Sequence, residues 1–303
     1  MFERSRLMFL YSVTPVHMGT GQAIGVIDNP IQREHHTHHP NMAGSGLKGA
    51  IRHRYSKWDP DKVNRLFGPE QNASDYAGAV SFGDAQLVAF PVRSLKQAFV
   101  YAVSPISLAR LKRLATLTGI PVDWNPPSVE GDKAVVTDKR VLHENKLVLE
   151  VFEYDAPESE NLKVIADWLA DHALPQSDEH QPFREKIRSD LVLLPDAAFS
   201  HFVENATVVE PHVRINDETG TADGGGLFYT ENLPPETLLT APVFASAERY
   251  KKKPENPLTA DDIMKEITGK LNGKLIQVGG DATTGRGQVI LHFAQSGKQE
   301  KKA

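Results

Sequence analysis

A chain of 303 residues with a formal net charge of −5 and no cysteine is long enough for one elaborated domain or two modest ones, and it holds no disulfide, zinc–thiolate site or thiol nucleophile. The acidic balance excludes nucleic-acid binding by bulk electrostatics alone, because such domains carry a basic excess. No apolar run reaches membrane-spanning length, and the expected setting is cytoplasmic.

Charge is spread unevenly. Lys48, Arg52, Arg54 and Lys57 follow one another with no acid between them, whereas 155–160 and 178–179 are acidic. A local basic face on an acidic body suits a subunit that meets nucleic acid on one side and protein on the other. At the start, charge precedes a short apolar run, but that run alternates like a strand and lacks a small-residue cleavage site, so it reads as mature sequence. Leu7 to Val16 is the first expected strand.

The connection that follows, His17 to Asp28, carries Gly19, Gly21 and Gly25, which permit positive φ or close approach to a ligand. From Ser45 the pattern is helical. Leu47, Ile51, Tyr55 and Trp58 recur toward a core while Lys48 and Arg52, four apart, share another face. Glycine-rich backbone, cations near a helix start and the acid Asp28, which Val26-Ile27 and Pro30-Ile31 are expected to anchor, together make a phosphate-binding surface with a carboxylate poised over it.

Asp59-Pro60 marks the helix exit, and Leu66-Phe67-Gly68-Pro69 a helix end. Ala79 to Val92 offers one or two strands around Gly83-Asp84. The spacing predicts a helix over Ile106 to Leu117, with Leu108, Leu111 and Leu114 inward and Arg110, Lys112 and Arg113 on a solvated face. After a Pro/Gly-rich loop come strand-like pieces Ala134 to Leu142 and Leu147 to Tyr154, then helices at Glu158 to Ala173 and Pro182 to Asn205, the latter broken near Pro195.

Thr207 to Ile215, the turn Asn216 to Gly220 and Gly224 to Thr230 form a long hairpin. Consecutive glycines are costly inside a buried strand, so the hairpin is expected to project. A strand at Thr237 to Arg249, a helix at Thr259 to Leu271 capped by Thr259, a strand at Lys274 to Val278, a glycine-rich turn at Gly279 to Gly287 and a strand at Val289 to Phe293 complete the chain. The tail, 295–303, reads as disordered. The fold class expected is α+β: a ferredoxin-like (RRM-like) βαββαβ core with helices on one face, insertions within 95–205 and a thumb hairpin at about 207–231, all one domain over 1–294.

Three chemical readings follow from the residues. Gly280 to Gly285 has P-loop spacing, but Arg286 and Gly287 stand where Lys and Ser/Thr belong, and a strand follows where a helix is needed, which argues against an NTPase. Backbone N–H groups of that loop with Arg286 instead suit a phosphodiester, or the loop is a structural turn. His35, His36, His38 and His39 lie near Glu34 and Asp28, yet consecutive histidines on a loop seldom share one metal. His17 is the best single histidine for acid–base RNA cleavage.

Four segments taken together, Thr14 to Gly21, Ile27-Asp28-Asn-Pro-Ile-Gln-Arg33, Gly44-Ser-Gly-Leu-Lys48-Gly-Ala-Ile-Arg52 and Gly279 to Gly287, resemble the RAMP superfamily of CRISPR proteins. The Ile-Asp-x-Pro-Ile-Gln-Arg-Glu segment is most similar to the repeated backbone subunit of the type III-B (Cmr) effector complex. The resemblance implies a subunit that stacks in a helical filament along CRISPR RNA beside other Cmr subunits, with no membrane partner. It implies a thumb, Val213, Arg214, Ile215, Leu227 and Phe228, that inserts between guide and target and displaces a target nucleotide. Asp28 would then cleave target RNA at regular intervals with a divalent metal (Mg or Mn) and no organic cofactor, with His17 as assistant. Lys48, Arg52, Gly279, Gly280, Thr283, Thr284, Gly285, Arg286 and Gly287 would hold guide phosphates. Whether Asp28 binds metal or accepts a proton stays open on sequence, as do a non-catalytic filament subunit and a stand-alone guide-processing endoribonuclease of the same superfamily.

Overall fold

Strand β1 (Arg4–Ser12) is buried at every position from Leu7 onward, so both faces of the sheet it belongs to need cover. Leu7, Phe9 and Tyr11 enter one hydrophobic cluster and Met8 and Leu10 another, the period-two alternation of a pleated strand. The computed structural model describes residues 2–22, 25–57, 59–71, 75–129, 131–250 and 255–295. The expected core position of Trp58 and the tail beyond Gln295 lie outside them.

After β1 come β2 (Asn41–Met42), α1 (Gly44–Ser56), α2 (Pro60–Phe67), β3 (Val80–Phe82), β4 (Ala85–Ser94), β5 (Ala98–Val103) and α3 (Pro105–Leu117). The middle holds β6 (Val135–Val136), β7 (Lys146–Leu149), β8 (Phe152–Asp155), α4 (Glu160–His172), α5 (Gln181–Asp190), β9 (Leu191–Leu193) and α6 (Asp196–Asn205). The last third holds β10 (Val208–Ile215), β11 (Ala222–Asn232), β12 (Leu238–Ala245), α7 (Ala260–Leu271), β13 (Lys274–Gln277) and β14 (Gln288–Phe293).

Among the described residues twelve strands join one sheet whose main path is β13-β14-β1-β12-β4-β5-β9-β6, while β10 and β11 form a separate two-stranded ribbon. Pairing along the path is antiparallel except for β5 with β9. Leu47, Ile51 and Tyr55 of α1 and Ile263, Ile267 and Leu271 of α7 pack with Met8 and Leu10. Leu108 and Leu111 of α3 and Leu162, Ile165 and Leu169 of α4 pack with Leu7 and Phe9 on the opposite face. Helices on one face therefore describes α1 and α7 only; the inserted middle supplies the second cover.

Three local readings change. Leu147 to Tyr154 is not one strand but the hairpin β7–β8, which turns at Glu150 with φ of 52°. Ala134 to Leu142 keeps only Val135–Val136 in the sheet, because the Asp138 side chain accepts a hydrogen bond from the Arg140 amide and starts a 3-10 turn. The helix expected through Pro182 to Asn205 is interrupted by β9, whose three buried residues align parallel to β5. A short apolar run buried on both faces gives no period by which strand and helix differ.

Candidate active site at the root of the hairpin

The stretch from Val16 to Arg33 folds back on itself as a narrow ladder. Thr20 N–H donates to the Pro30 carbonyl at 3.1 Å and Gln32 N–H to the Met18 carbonyl at 2.7 Å. The Gln32 amide donates to the Gly19 carbonyl and accepts from Ala43 N–H, so the ladder is tied to the start of α1. A Cβ at Gly19 would stand 2.7 Å from Nε2 of His17; only glycine lets the imidazole fold over the chain there. Val26 is 92% exposed, Ile27 partly buried and Ile31 buried, so the apolar anchor of the Asp28 loop lies mainly on its C-terminal side.

The outer edge of β11 places the two expected catalytic side chains. Tyr229 N–H donates to Oδ2 of Asp28 at 2.7 Å, Asn29 N–H to the Tyr229 carbonyl at 3.0 Å, and Glu231 N–H to the Asn29 carbonyl at 3.0 Å. Next along the same edge the Glu231 carbonyl is 2.7 Å from Nδ1 of His17, and Val16 and Leu233 exchange both backbone bonds. A carbonyl only accepts, so Nδ1 carries the proton and Nε2 of the neutral ring is an acceptor. The anchors are two residues apart along a strand, roughly 7 Å. Asp28 is partly exposed, and among the described residues no Lys or Arg pairs with it.

Glu231 was not legible as a functional residue, yet it ties the loop to the hairpin. Its side chain is 4% exposed and accepts from Ile31 N–H at 3.0 Å, Arg33 at 2.5 Å and Thr207 Oγ1 at 2.8 Å. Arg33 also donates to the His38 and Val203 carbonyls. The one signal in the sequence was an acid at the buried end of a strand, which demands a cation or donors.

The second glycine-rich stretch meets the first. Gly280 N–H donates to the His17 carbonyl at 2.9 Å and Gly287 N–H to the Pro15 carbonyl at 2.8 Å. Gly279 has φ of 79°, and any Cβ on it would collide with the His17 carbonyl. Thr283, Thr284 and Gly285 are exposed at a short turn, and Arg286 pairs with Glu210 of β10. His17, Gly19, Gln32, Gly49, His53 and Gly280 line a cleft of about 540 Å³ between this loop and α1; His53 is a further residue not foreseen.

The cations of α1 divide. Arg52 donates to the Gly68 carbonyl at 2.6 Å and to Oδ1 of Asn64 at 2.9 Å, binding α1 to the end of α2. Lys48 is half-buried, and its pKa is lowered by burial first and then by Arg52 and Arg249. A cation in a positive neighbourhood is prepared for an anion.

Of the histidine segment, His35, His36 and His38 are exposed and His39 is packed inward. His39 is buried with Nε2 3.1 Å from Ser200 Oγ and its ring edge-on to Phe199, and His36 lies 3.8 Å from Glu34. Glu34 is held in a fork by Arg110; burial works to raise its pKa, but hydrogen bonds from Arg110 and Thr37 keep it below the usual range. Arg110 is thus paired rather than solvated, and Lys112 donates to the Trp124 carbonyl. Among the described residues no three His, Asp or Glu side chains are grouped to hold a metal. Val213, Ile215, Leu227 and Phe228 of the hairpin, the residues expected to form a thumb, are 40% to 54% exposed, and His212 stacks on Phe228 with ring centroids 5.0 Å apart.

Residues 9–290 match the RAMP superfamily, and the chain belongs to it. Within the family it is 36% identical over 290 residues, 94% of either chain, to the CRISPR system Cmr endoribonuclease Cmr4 of Pyrococcus furiosus. It is 23% identical to the CRISPR system CMR subunit Cmr4 of Saccharolobus solfataricus, over 94% of this chain and 95% of that one. The crystal structure of oligomeric Cmr4 from Pyrococcus furiosus is similar at a TM-score of 0.74 and 29% identity, covering 96% of this chain and 98% of that chain. A chain of the type III-B Cmr-beta complex bound to cognate target RNA shares the fold at a TM-score of 0.72 and 20% identity, covering 96% and 98%.

Proposed function

We propose that this chain is the repeated backbone subunit of a type III-B CRISPR effector complex, that it binds CRISPR RNA, and that it cleaves complementary target RNA at regular intervals. The observation that carries the reading is the edge of β11: Asp28 and His17 are fastened side by side at the root of an exposed apolar hairpin. The strand order β14-β1-β12-β4 with α1 and α7 as crossovers supports a ferredoxin-like core, with residues 1–294 as one RAMP domain. No helix among the described residues is long and apolar enough to cross a membrane.

Val213, Arg214, Ile215, Leu227 and Phe228 enter the guide–target duplex and unstack one target nucleotide. Its 2′-OH, no longer restrained by helical geometry, reaches the adjacent phosphorus. Nε2 of His17 accepts the hydroxyl proton, the 2′-oxygen bonds to phosphorus, and the 5′-oxygen of the next nucleotide leaves and takes a proton from water. Asp28, with Oδ2 on the Tyr229 amide, is the residue that would hold a divalent cation through its other oxygen, and an all-oxygen donor of this kind would suit magnesium or manganese. When bound, that ion neutralises charge developing on the phosphate. Lys48 and the loop Gly279, Gly280, Thr283, Thr284, Gly285, Arg286 and Gly287 follow the guide backbone, backed by Arg52, and read no sequence.

The test is a denaturing gel of labelled target RNA incubated with the assembled complex. An evenly spaced ladder that disappears in EDTA is expected. Intact RNA would leave a purely structural filament subunit, cleavage of repeat RNA by the isolated chain would indicate a guide-processing enzyme, and a ladder that persists in EDTA for wild type but not for Asp28→Asn would mean that Asp28 works without metal, with His17 as its acid–base partner.

A further inference from the structure

The ion pair between Arg286 and Glu210 joins the two halves of the site. Glu210 stands on β10 opposite Thr230 in the hairpin register. Thr230 lies between Tyr229, whose amide holds Asp28, and Glu231, whose carbonyl holds His17. Arg286 belongs to the loop that reaches the same histidine from the other side, through Gly280 N–H on the His17 carbonyl and Gly287 N–H on the Pro15 carbonyl. The loop is braced from within, since Arg286 N–H donates to the Asp281 carbonyl and Val278 N–H to that of Gly287. A closed circuit results: His17 backbone, glycine loop, Arg286, Glu210, the Thr230 rung, Glu231 carbonyl, His17 ring. Every other link in it is backbone or covalent except the imidazole itself. Both partners are partly buried, 23% and 29% exposed, so the pair is shielded from salt more than a surface pair.

We infer that Glu210 and Arg286 are positioning residues for cleavage: their ion pair fixes the root of the hairpin against the glycine loop, and so sets where Asp28 and His17 stand relative to the displaced nucleotide. The inference rests on the proposed RNA-cleaving role and changes one assignment within it, because an Arg286 committed to Glu210 is not primarily a guide-phosphate ligand. A phosphate ligand and a clasp respond differently to exchange of their charges. A clasp works with its charges reversed, whereas a glutamate placed against a phosphodiester repels it.

The experiment compares the assembled complex carrying wild type, Glu210→Gln, Arg286→Gln and the exchange Glu210→Arg with Arg286→Glu. Single-turnover cleavage at saturating target is measured beside guide and target affinity. Either single change should slow cleavage about five- to tenfold, the size expected of a partly shielded ion pair, with affinities unchanged within about twofold. The exchange should recover most of the rate and keep the spacing of the products. Cleavage by Glu210→Gln at the wild-type rate would overturn the inference, as would loss of guide affinity in Arg286→Gln that the exchange deepens. A wild-type complex that leaves target RNA intact would instead sink the cleavage reading itself, so the two failures are distinct.

Discussion

Strands β10 and β12 lie close in sequence and both carry several apolar residues, four of eight in VVEPHVRI against six of eight in LLTAPVFA, yet they meet opposite fates. In β12 all residues but Pro242 and Phe244 are buried, with β1 on one edge and β3 and β4 on the other. In β10 Val209, Val213 and Ile215 are 43% to 54% exposed, and the only described strand paired with it is β11. The charged residues of β10 mark that strand for solvent, but Val209, Val213 and Ile215 are exposed because, among the described residues, it lacks neighbours on a second edge and a covered face. An exposed apolar ribbon is a surface suited to a partner, and Asp28 and His17, the side chains proposed to react, sit at the junction between the ribbon and the covered sheet.

The largest expected effect lies at that junction. In Asp28→Asn the side-chain oxygen still accepts from Tyr229 N–H, so the loop stays on the edge of β11, while the negative charge is gone. Target cleavage should fall about 10²- to 10⁴-fold with target affinity unchanged. Asp28→Ala should lose cleavage equally and also expose the Tyr229 amide, read as faster hydrogen exchange there than in Asp28→Asn. Wild-type cleavage by Asp28→Asn would move the reactive centre elsewhere.

Leucine pairs test the comparison itself. Leu239 of β12 is fully buried and Leu227 of β11 is 54% exposed. Leu239→Ala should cost about 2–5 kcal/mol in urea unfolding, whereas Leu227→Ala should stay within about 0.5 kcal/mol of wild type. Deleting Pro211 to Phe228 should likewise leave a folded protein, with cleavage reduced or irregularly spaced. An insoluble deletion product would show that the hairpin shares in the core.

The parts of this design that sequence revealed are those with a strong local signal. Thr259 before Asp262 made the capping box of α7, and Gly224-Gly-Gly with Asn216 to Gly220 made the hairpin. Asp28 stood out because its loop holds no other acid. What stayed hidden depends on register. Glu231 becomes a hub only once Arg33, Ile31 and Thr207 are brought to it, and Arg286 finds Glu210 across 76 positions of sequence. The histidines at 35–39 are by their spacing poor partners for one metal, but that His39 packs against Phe199 is visible only in the fold. Burial on both faces erased the period of β9, as it did not for β1, which is long enough to alternate.

The covered sheet also has a pH limit. His292 of β14 is buried, both ring nitrogens lack partners among the described residues, and burial, then His172 and His180, push its pKa down to about 4. A depressed folded pKa gives stability that is complete above the unfolded value of about 6.5 and is lost as pH falls toward the folded one. Between those limits about 3 kcal/mol should disappear, measured as a falling urea midpoint. His292→Leu should flatten that dependence without loss at neutral pH, because it removes unsatisfied buried nitrogens. An unchanged slope would place the titration on another group.

The smallest expected effects separate the cations of α1. Lys48 sits half-buried among Arg52 and Arg249 and, among the described residues, forms no ion pair with a carboxylate. Lys48→Ala should weaken guide binding about equally for every guide sequence and reduce the salt slope by about one counterion. Arg52 is spent on Gly68 and Asn64, so Arg52→Ala should cost about 1 kcal/mol of stability and change guide affinity and its salt slope less than Lys48→Ala does. Filter binding at several salt concentrations, beside urea unfolding of each variant, decides the matter. Equal loss of slope in both would make Arg52 a phosphate ligand despite its bonds to α2, and an unchanged slope in Lys48→Ala would put the guide backbone on another face.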